Sequence, residues 1–495
     1  MSCAHTWPIA RGAQPLGRPW RRRWGSWPPG RRSTGGGTSS SLWWRWRCWW
    51  RRWWRIDRGG LPGRLGRVGR GMHSGPPVGR ISPMARPASE QTALWVLRKL
   101  REGGYEALFA GGCVRDQLLG APCTDYDVAT NASPKQVRGL FRHVLMVGAK
   151  FGVAMVVHRG QVVEVVTFRS DETYSDGRRP DRVTFSTARE DALRRDFTIN
   201  GMFYDPIAKK VIDYVDGQED LQARILRTIG SPEQRFDEDY LRLIRAVRFA
   251  ARLDFRIDPA TEAALAANAD KIVSISGERV FDELRKMLSN TSAVRSLADL
   301  QRFGLMQHIV PELFDADDHW PAAMQRAEKI GHYADFLLTL AALLLELPSR
   351  VIGRICRRWG ASNETRLALQ WIAKHGGDWQ AAPNWPLCKI KRLLAYGQFD
   401  RLCLLWLAIE ELDTGQTDYH QLLRKKIASI DPDQIAPPPL VSGEDLLGLG
   451  LSESPKLGRI LNKLYDAQLN EELKSRRTAL AEARRMVTEA AAPNA

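Results

Sequence analysis

The apolar positions of "TALWVLRKLREGG" recur at helical spacing and stop at Gly103-Gly104, which predicts an amphipathic helix. "EALFAGG" follows as a short apolar strand. "FGVAMVVHRGQVVEVVTFR" predicts a hairpin, two β-rich runs joined near His158-Arg159-Gly160. Alternation along its second run places Glu164 on one face with Val162, Val166 and Phe168. After about Ser231 the pattern turns helical: Ser231 stands as an N-cap, Pro232 at the first helical position and Gln234 at capping-box spacing. Helical periodicity then covers 238–253, 278–288, 321–346, 363–374, 397–411 and 456–487, with a break at "APPPLVSGEDLLGLG" (436–450). The expected fold is α+β: a small head with a mixed sheet over 87–230, then all-α segments over 231–290, 291–435 and 436–495.

Composition changes this picture at one end only. The chain of 495 residues has a formal charge of +17, which points toward a polyanionic partner. Residues 1–86 hold 18 Arg, no Lys and one acid, Asp57, so they carry all of that charge, and the rest balances 55 basic against 55 acidic residues. Eleven of the 18 Trp also lie before Arg55, among Gly, Pro and Arg with no periodic apolar face, so no packed core is expected there. Three readings compete for the segment: an arm for nucleic acid or membrane, a targeting peptide, or untranslated sequence joined by a misplaced start, with Met72 and Met84 as alternative starts. The last is favoured. The seven cysteines show no metal-type or CxxC pairing, which suits free thiols in a reducing cytoplasm. The longest apolar run, "FLLTLAALLLELP" from Phe336, has the length of a buried helix, so no membrane span is expected.

The candidate chemistry starts at "LFAGGCVRDQLLGAPCTDYDVAT". Asp125 and Asp127 stand two apart in an extended segment, which puts both carboxylates on one face, where a hard divalent ion such as Mg²⁺ relieves their repulsion. Gly111 and Gly112 allow close approach of a phosphate to a helix N-terminus, and Arg115 supplies neutralising charge. A lone D-x-D is usually surface decoration; preceded by GG-x-V-R-D, it builds a metal–triphosphate site. Glu164 is the expected third carboxylate, against the alternative of an edge-strand acid paired with Arg169. In "LRRDFTING" Asp196 either pairs with an arginine and caps a helix, or Arg195 and its neighbours meet phosphate and ribose. In "EDYLRLIRAVRFAARL" Asp239, Arg242, Arg245 and Arg248 fall three apart. They form either a solvated face or an acceptor–donor set that copies the pairing edge of a base without a template.

Together GG-x-V-R-D with D-Y-D, "RRDFTIN", "EDYLRLIRAVRF" and "GERVFDEL" (Glu278-Arg279 with Glu283) resemble the class II CCA-adding enzyme and bacterial poly(A) polymerase family. The resemblance is strong over about residues 90–290 and weaker in "VSGEDLLGLGLSESPKLGRIL". It implies a nucleotidyltransferase head, a neck with a base-reading helix, and a helical body and tail that hold tRNA. It implies Asp125 and Asp127 as metal ligands, Gly112, Arg115 and Arg195 as triphosphate contacts, and Asp239, Arg242, Arg245 and Arg248 as selectors of CTP and ATP. "TYSDGRRPDRVTF" (173–185) resembles the flexible loop of enzymes that complete the A addition. Gly201, Val166 and Ser454 stand where the family pattern has Ala, Thr and Gly, and Leu345-Glu346 stands where some relatives have a His-Asp hydrolase pair. The expected activity is Mg²⁺-dependent CCA addition to tRNA from CTP and ATP with release of pyrophosphate. The rivals are a poly(A) polymerase, the A-adding member of a split pair, and a non-catalytic RNA-binding protein.

Overall fold

The structure is a computed structural model and describes residues 88–123, 125–147, 152–171, 183–316 and 318–491. The Arg/Trp-rich segment and most of the 173–185 loop fall outside these residues. Helix α1 (Ala88–Glu102) buries Leu94, Val96, Leu97 and Leu100, and it ends where Gly104 takes φ +85°, a conformation that favours glycine. Strand β1 (Ala107–Ala110), helix α2 (Gly112–Leu118) and strand β2 (Asp127–Thr130) follow. Helix α3 (Pro134–Leu140) starts at a full capping box on Ser133 and Gln136.

The hairpin forms as expected from β4 (Val153–His158) and β5 (Gln161–Thr167), after the short β3 (Val144–Leu145). Arg159 and Gly160 both have positive φ (49° and 75°), the two-residue turn whose twist matches the strands. A second small pair joins β6 (Arg169–Asp171) to β7 (Val183–Phe185). With β8 (Phe203–Asp205) and β9 (Lys210–Ile212), the main sheet runs β3-β4-β5-β2-β1-β8-β9. Only β2 and β5 are parallel, so the sheet is mixed. Its core gathers Leu108, Ala110, Ala129, Phe168, Phe203, Val215 and Ile229.

Helices α4 (Ala188–Leu193) and α5 (Gly217–Ala223) complete the head, and α6 (Pro232–Glu238), α7 (Leu241–Leu253), α8 (Pro259–Ala267) and α9 (Gly277–Leu288) follow. Ser231 caps α6 through the Gln234 N–H, but its hydroxyl donates to Glu233, so half of the expected capping box forms. A two-residue parallel pair, Ile225–Leu226 with Arg256–Ile257, ties the chain before α6 to the chain after α7.

Two long helical expectations break in the structure. The 321–346 segment divides into His319–Ile330 and Phe336–Leu344, because Ala334 turns left-handed (φ +50°) and the Asp335 side chain caps the second helix. The 456–487 segment divides at Asn470 into Pro455–Leu469 and Arg476–Ala491, with Glu471 at φ +66°. The last two helices pack with Gly443–Gly448 around Leu446, Ile460, Leu464, Ala479 and Ala483. Among the described residues no helix is long and apolar enough to cross a membrane.

Candidate active site

A cleft of about 730 Å³ opens where α2, β2, the turn after α4, α7 and α9 meet. Nine cationic side chains and five carboxylates line it, an excess that suits a polyanionic ligand. Its lining includes Gly111, Gly112, Arg115, Asp125, Asp127, Arg195, Asp239, Arg242, Arg245 and Arg248, which the sequence scatters over more than a hundred positions. Glu164 is absent from the lining.

The acidic edge differs from the expected geometry. Strand β2 begins at Asp127, so Asp125 stands just before the paired segment rather than within it, and both line the cleft. Asp127 is half-buried, and burial first, then Glu164 and Asp125, push its carboxyl up to about 6 while Arg195 pulls it the other way. Glu164 is the in-register partner of Asp127 across the parallel β2–β5 pair, and burial raises its carboxyl too. Of the three expected metal carboxylates, Asp125 and Asp127 therefore line the cleft and Glu164 stands one strand away. Among the described residues no three His, Cys, Asp or Glu side chains converge closely enough to hold an ion unaided.

Gly111 has φ +71°, so the turn into α2 favours glycine, and a Cβ there would stand 2.9 Å from Arg195 Nη1 and displace that guanidinium. A Cβ on Gly112 would meet only ordinary contact, 3.6 Å from Arg115 Nη2. Arg115 itself is enclosed, 2% exposed, with Nε on Asp116 Oδ1 (2.8 Å) and Nη1 on Asn200 Oδ1 (2.6 Å). Arg195 is more open. Its Nε and Nη2 donate to Asp191 Oδ2 (3.1 and 2.8 Å) and its Nη1 to the Asn200 carbonyl (3.2 Å). Gly201 has a steric reason: a Cβ would fall 2.7 Å from Val215 Cγ2 and 3.0 Å from Ile229 Cδ1.

The charged stripe is not a solvated face. Arg242 and Arg248 are buried on α7, at 9% and 8% exposure. Arg242 Nη1 donates to Glu238 and to the Arg235 carbonyl (2.7 Å). Arg245 Nε and Nη2 reach Asp196 Oδ2 (3.0 and 2.5 Å), and Arg248 Nε reaches Glu283 Oε2 (2.6 Å). The Arg248 guanidinium also lies 4.1 Å from the Phe249 ring centroid. Asp239 is off the helix: it ends α6 in extended conformation (φ −158°, ψ 101°), and the helical stripe starts at Arg242.

Asp196 pairs with Arg245, and its Oδ1 also accepts the Phe197 N–H (2.9 Å), but its side chain does not cap the short turn that follows. Sequence reasoning missed Asp191, Asp116 and Asn200. Asp191 is fully buried and accepts from both Arg194 and Arg195. A carboxylate three and four residues before two arginines was the available signal.

Comparison with known proteins places the chain in a family. The poly A polymerase head domain matches residues 107–227, and the probable RNA and SrmB-binding site of polymerase A matches 254–317. The CCA-adding enzyme of Limosilactobacillus reuteri is 33% identical over 412 residues, covering 80% of this chain and 96% of the relative. That of Geobacillus stearothermophilus is 44% identical over 220 residues, 44% of this chain and 54% of the relative. The crystal structure of the Bacillus stearothermophilus CCA-adding enzyme in complex with CTP superposes with a TM-score of 0.64 at 29% identity, covering 82% of this chain and all of that one. A mixed-sheet head closed by an arginine-lined helix, matched over almost the full length of such relatives, makes this chain a member of the CCA-adding enzyme family.

Proposed function

We infer that the protein adds C, C and A to the 3′ end of tRNA from CTP and ATP, without a template and with release of pyrophosphate. One observation carries the reading: the Asp125–Asp127 edge and the arginines of α7 face the same cleft. A triphosphate can there meet acidic and cationic walls at once while its base meets protein side chains rather than a template strand. The crowded oxygens of Asp125 and Asp127 suit a hard divalent ion, which we take to be Mg²⁺. Asp125 and Asp127 would hold such an ion, which would supply Lewis acidity toward the primer 3′-hydroxyl and the triphosphate oxygens.

The chain's own groups do the rest. Arg194 and Arg195, anchored by Asp191, present fixed donors to phosphate oxygens, and such preorganised charge acts most where charge develops. Enclosed Arg115 acts through Asn200 and holds the floor of the cleft. Asp239 accepts from the exocyclic amine of cytosine or adenine, and Arg242 donates to the neighbouring ring nitrogen. Arg245 and Arg248, held by Asp196 and Glu283, keep that wall in place.

The test uses three tRNAs: one lacking all three terminal nucleotides, one lacking only the terminal A, and one complete. CTP should extend the first, ATP alone should extend the second, and the third should gain little. Long A tracts on any RNA would assign a poly(A) polymerase instead.

A further inference from the structure

We propose that Lys391 is a positioning residue for the RNA substrate: its pair with Glu471 sets the angle at which the three-helix 436–491 unit stands on the helices before it. This rests on the reading of tRNA as the molecule extended.

The last three helices have a core of their own, centred on Leu446, Ile460, Leu464, Ala479 and Ala483. A unit closed by its own core takes its orientation from the joint that ties it to the rest of the chain. Three donors of the Leu387–Leu394 helix make that joint, at the end of the Pro455–Leu469 helix and the turn after it. The Cys388 N–H donates to Asn470 Oδ1 (2.8 Å), Lys391 Nζ to Glu471 Oε1 (3.0 Å), and Arg392 Nε to Asp466 Oδ1 (2.6 Å).

The two ion pairs among these are not equivalent. Arg392 and Asp466 are each 41% exposed, so water screens their attraction. Lys391 is 1% exposed, and among the described residues Glu471 is the carboxylate its ammonium meets. Opening that pair would strand a buried charge, so it resists opening far more than its neighbour does. Glu471 also takes φ +66°, a left-handed conformation that a residue other than glycine keeps where its surroundings hold it. It lies in the turn between the last two helices, so the tie to Lys391 fixes the direction of both.

Those two helices carry charge outward. Arg459 and Lys463 stand four apart on one, and Arg477 and Arg484 seven apart on the other. All four are exposed and form no ion pair among the described residues. Cations of this kind suit backbone phosphates, which any long RNA with its 3′ end in the cleft leaves outside it. A second contact on the same RNA adds to affinity when its position matches the span, and the gain is lost when the geometry slackens. Lys391 thereby acts on the RNA without touching it.

The experiment compares wild type, Lys391→Met, and the double variant Lys391→Met with Glu471→Gly, with melting temperatures measured for each. The double variant removes the buried charge and the left-handed glutamate together, so it should melt close to wild type. A tRNA lacking the terminal A, and a hairpin of its acceptor stem alone with the same 3′ end, are each extended with ATP. In both variants KM for the tRNA should rise about tenfold and depend less steeply on salt. KM for the hairpin and for ATP should stay within about twofold of wild type. If wild type extends neither RNA, the proposed activity is wrong and this inference falls with it. If wild type shows the same KM for both RNAs, or the folded variants keep its KM for tRNA or weaken on both RNAs alike, Lys391 does not position the RNA. Should Lys391→Met fail to fold, the double variant decides by the same criterion.

Discussion

Replacing Asp196 with Asn changes one atom and tests the joint between head and neck. Asp196 Oδ2 accepts twice from Arg245, and Oδ1 accepts the Phe197 N–H and Asn200 Nδ2 (3.1 Å). Either orientation of an amide would turn its NH₂ toward donors, at Arg245 or at Phe197 and Asn200. Burial alone would raise this carboxyl, but Arg245, then Asn200 and Arg242, bring it down to about 2. Against about 3.9 in the unfolded chain, a depression of nearly two units corresponds to about 2–3 kcal/mol of native stability. The folded value is the lower one, so this contribution is complete above about pH 5 and is lost as pH falls from about 4 toward about 2. Asp196→Asn lacks it at every pH. Unfolding of wild type and variant by urea, followed at pH 7, 5, 4 and 3, should show a gap of about 2–3 kcal/mol that is constant at the upper values and shrinks at the lowest. A gap under about 0.5 kcal/mol at pH 7, or one that does not narrow on acidification, would refute the reasoning.

Three further outcomes follow from the same geometry. Asp191→Asn releases Arg194 and Arg195 together, so KM for CTP and ATP should rise about tenfold in parallel, read by steady-state kinetics with each nucleotide. Gly277→Ala forces a methyl against the Arg358 carbonyl and should cost about 3 kcal/mol or more, seen as a melting temperature lower by several degrees. Asp125→Ala and Asp127→Ala should each abolish incorporation of both nucleotides while a filter-binding assay shows tRNA binding unchanged; near-normal turnover in Mg²⁺ by either would remove the metal assignment.

Elements governed by near neighbours were legible in the sequence. Gly103-Gly104 ended α1, Arg159-Gly160 turned the hairpin, and Ser231-Pro232 opened α6, because each depends on backbone preferences within a few residues. The breaks at Ala334 and Glu471 were not legible: both are left-handed residues other than glycine, a conformation their own preference does not announce. Asp239 misled for a related reason. Its spacing matched the arginine stripe, yet a short acidic side chain beside a helix start competes for the backbone, and here it accepts the Leu241 N–H. The cleft residues were legible as residue types at motif spacing, whereas their partners were not. Arg245 meets Asp196 across 49 positions, Arg279 meets Asp239 across 40, and Arg248 meets Glu283 across 35.

Those long-range pairs explain why net charge misdirects here while local charge does not. From residue 87 onward the chain is balanced, 55 basic against 55 acidic residues, so composition gives no sign of a polyanionic ligand. The fold creates the sign by sorting. Glu238, Glu283 and Asp191 hold arginines without themselves lining the cleft, and the guanidiniums they hold turn remaining donors into it. A buried arginine without such a partner would be costly; with one, its unused N–H groups are fixed in direction. Helix α7 is therefore apolar and charged at once. Leu243, Ile244, Ala246 and Val247 pay no electrostatic penalty on burial, and the arginines between them are neutralised from other elements. On the proposed reading, selection among bases would need donors and acceptors that do not move to suit the wrong partner, which paired, half-spent charges of this kind would supply.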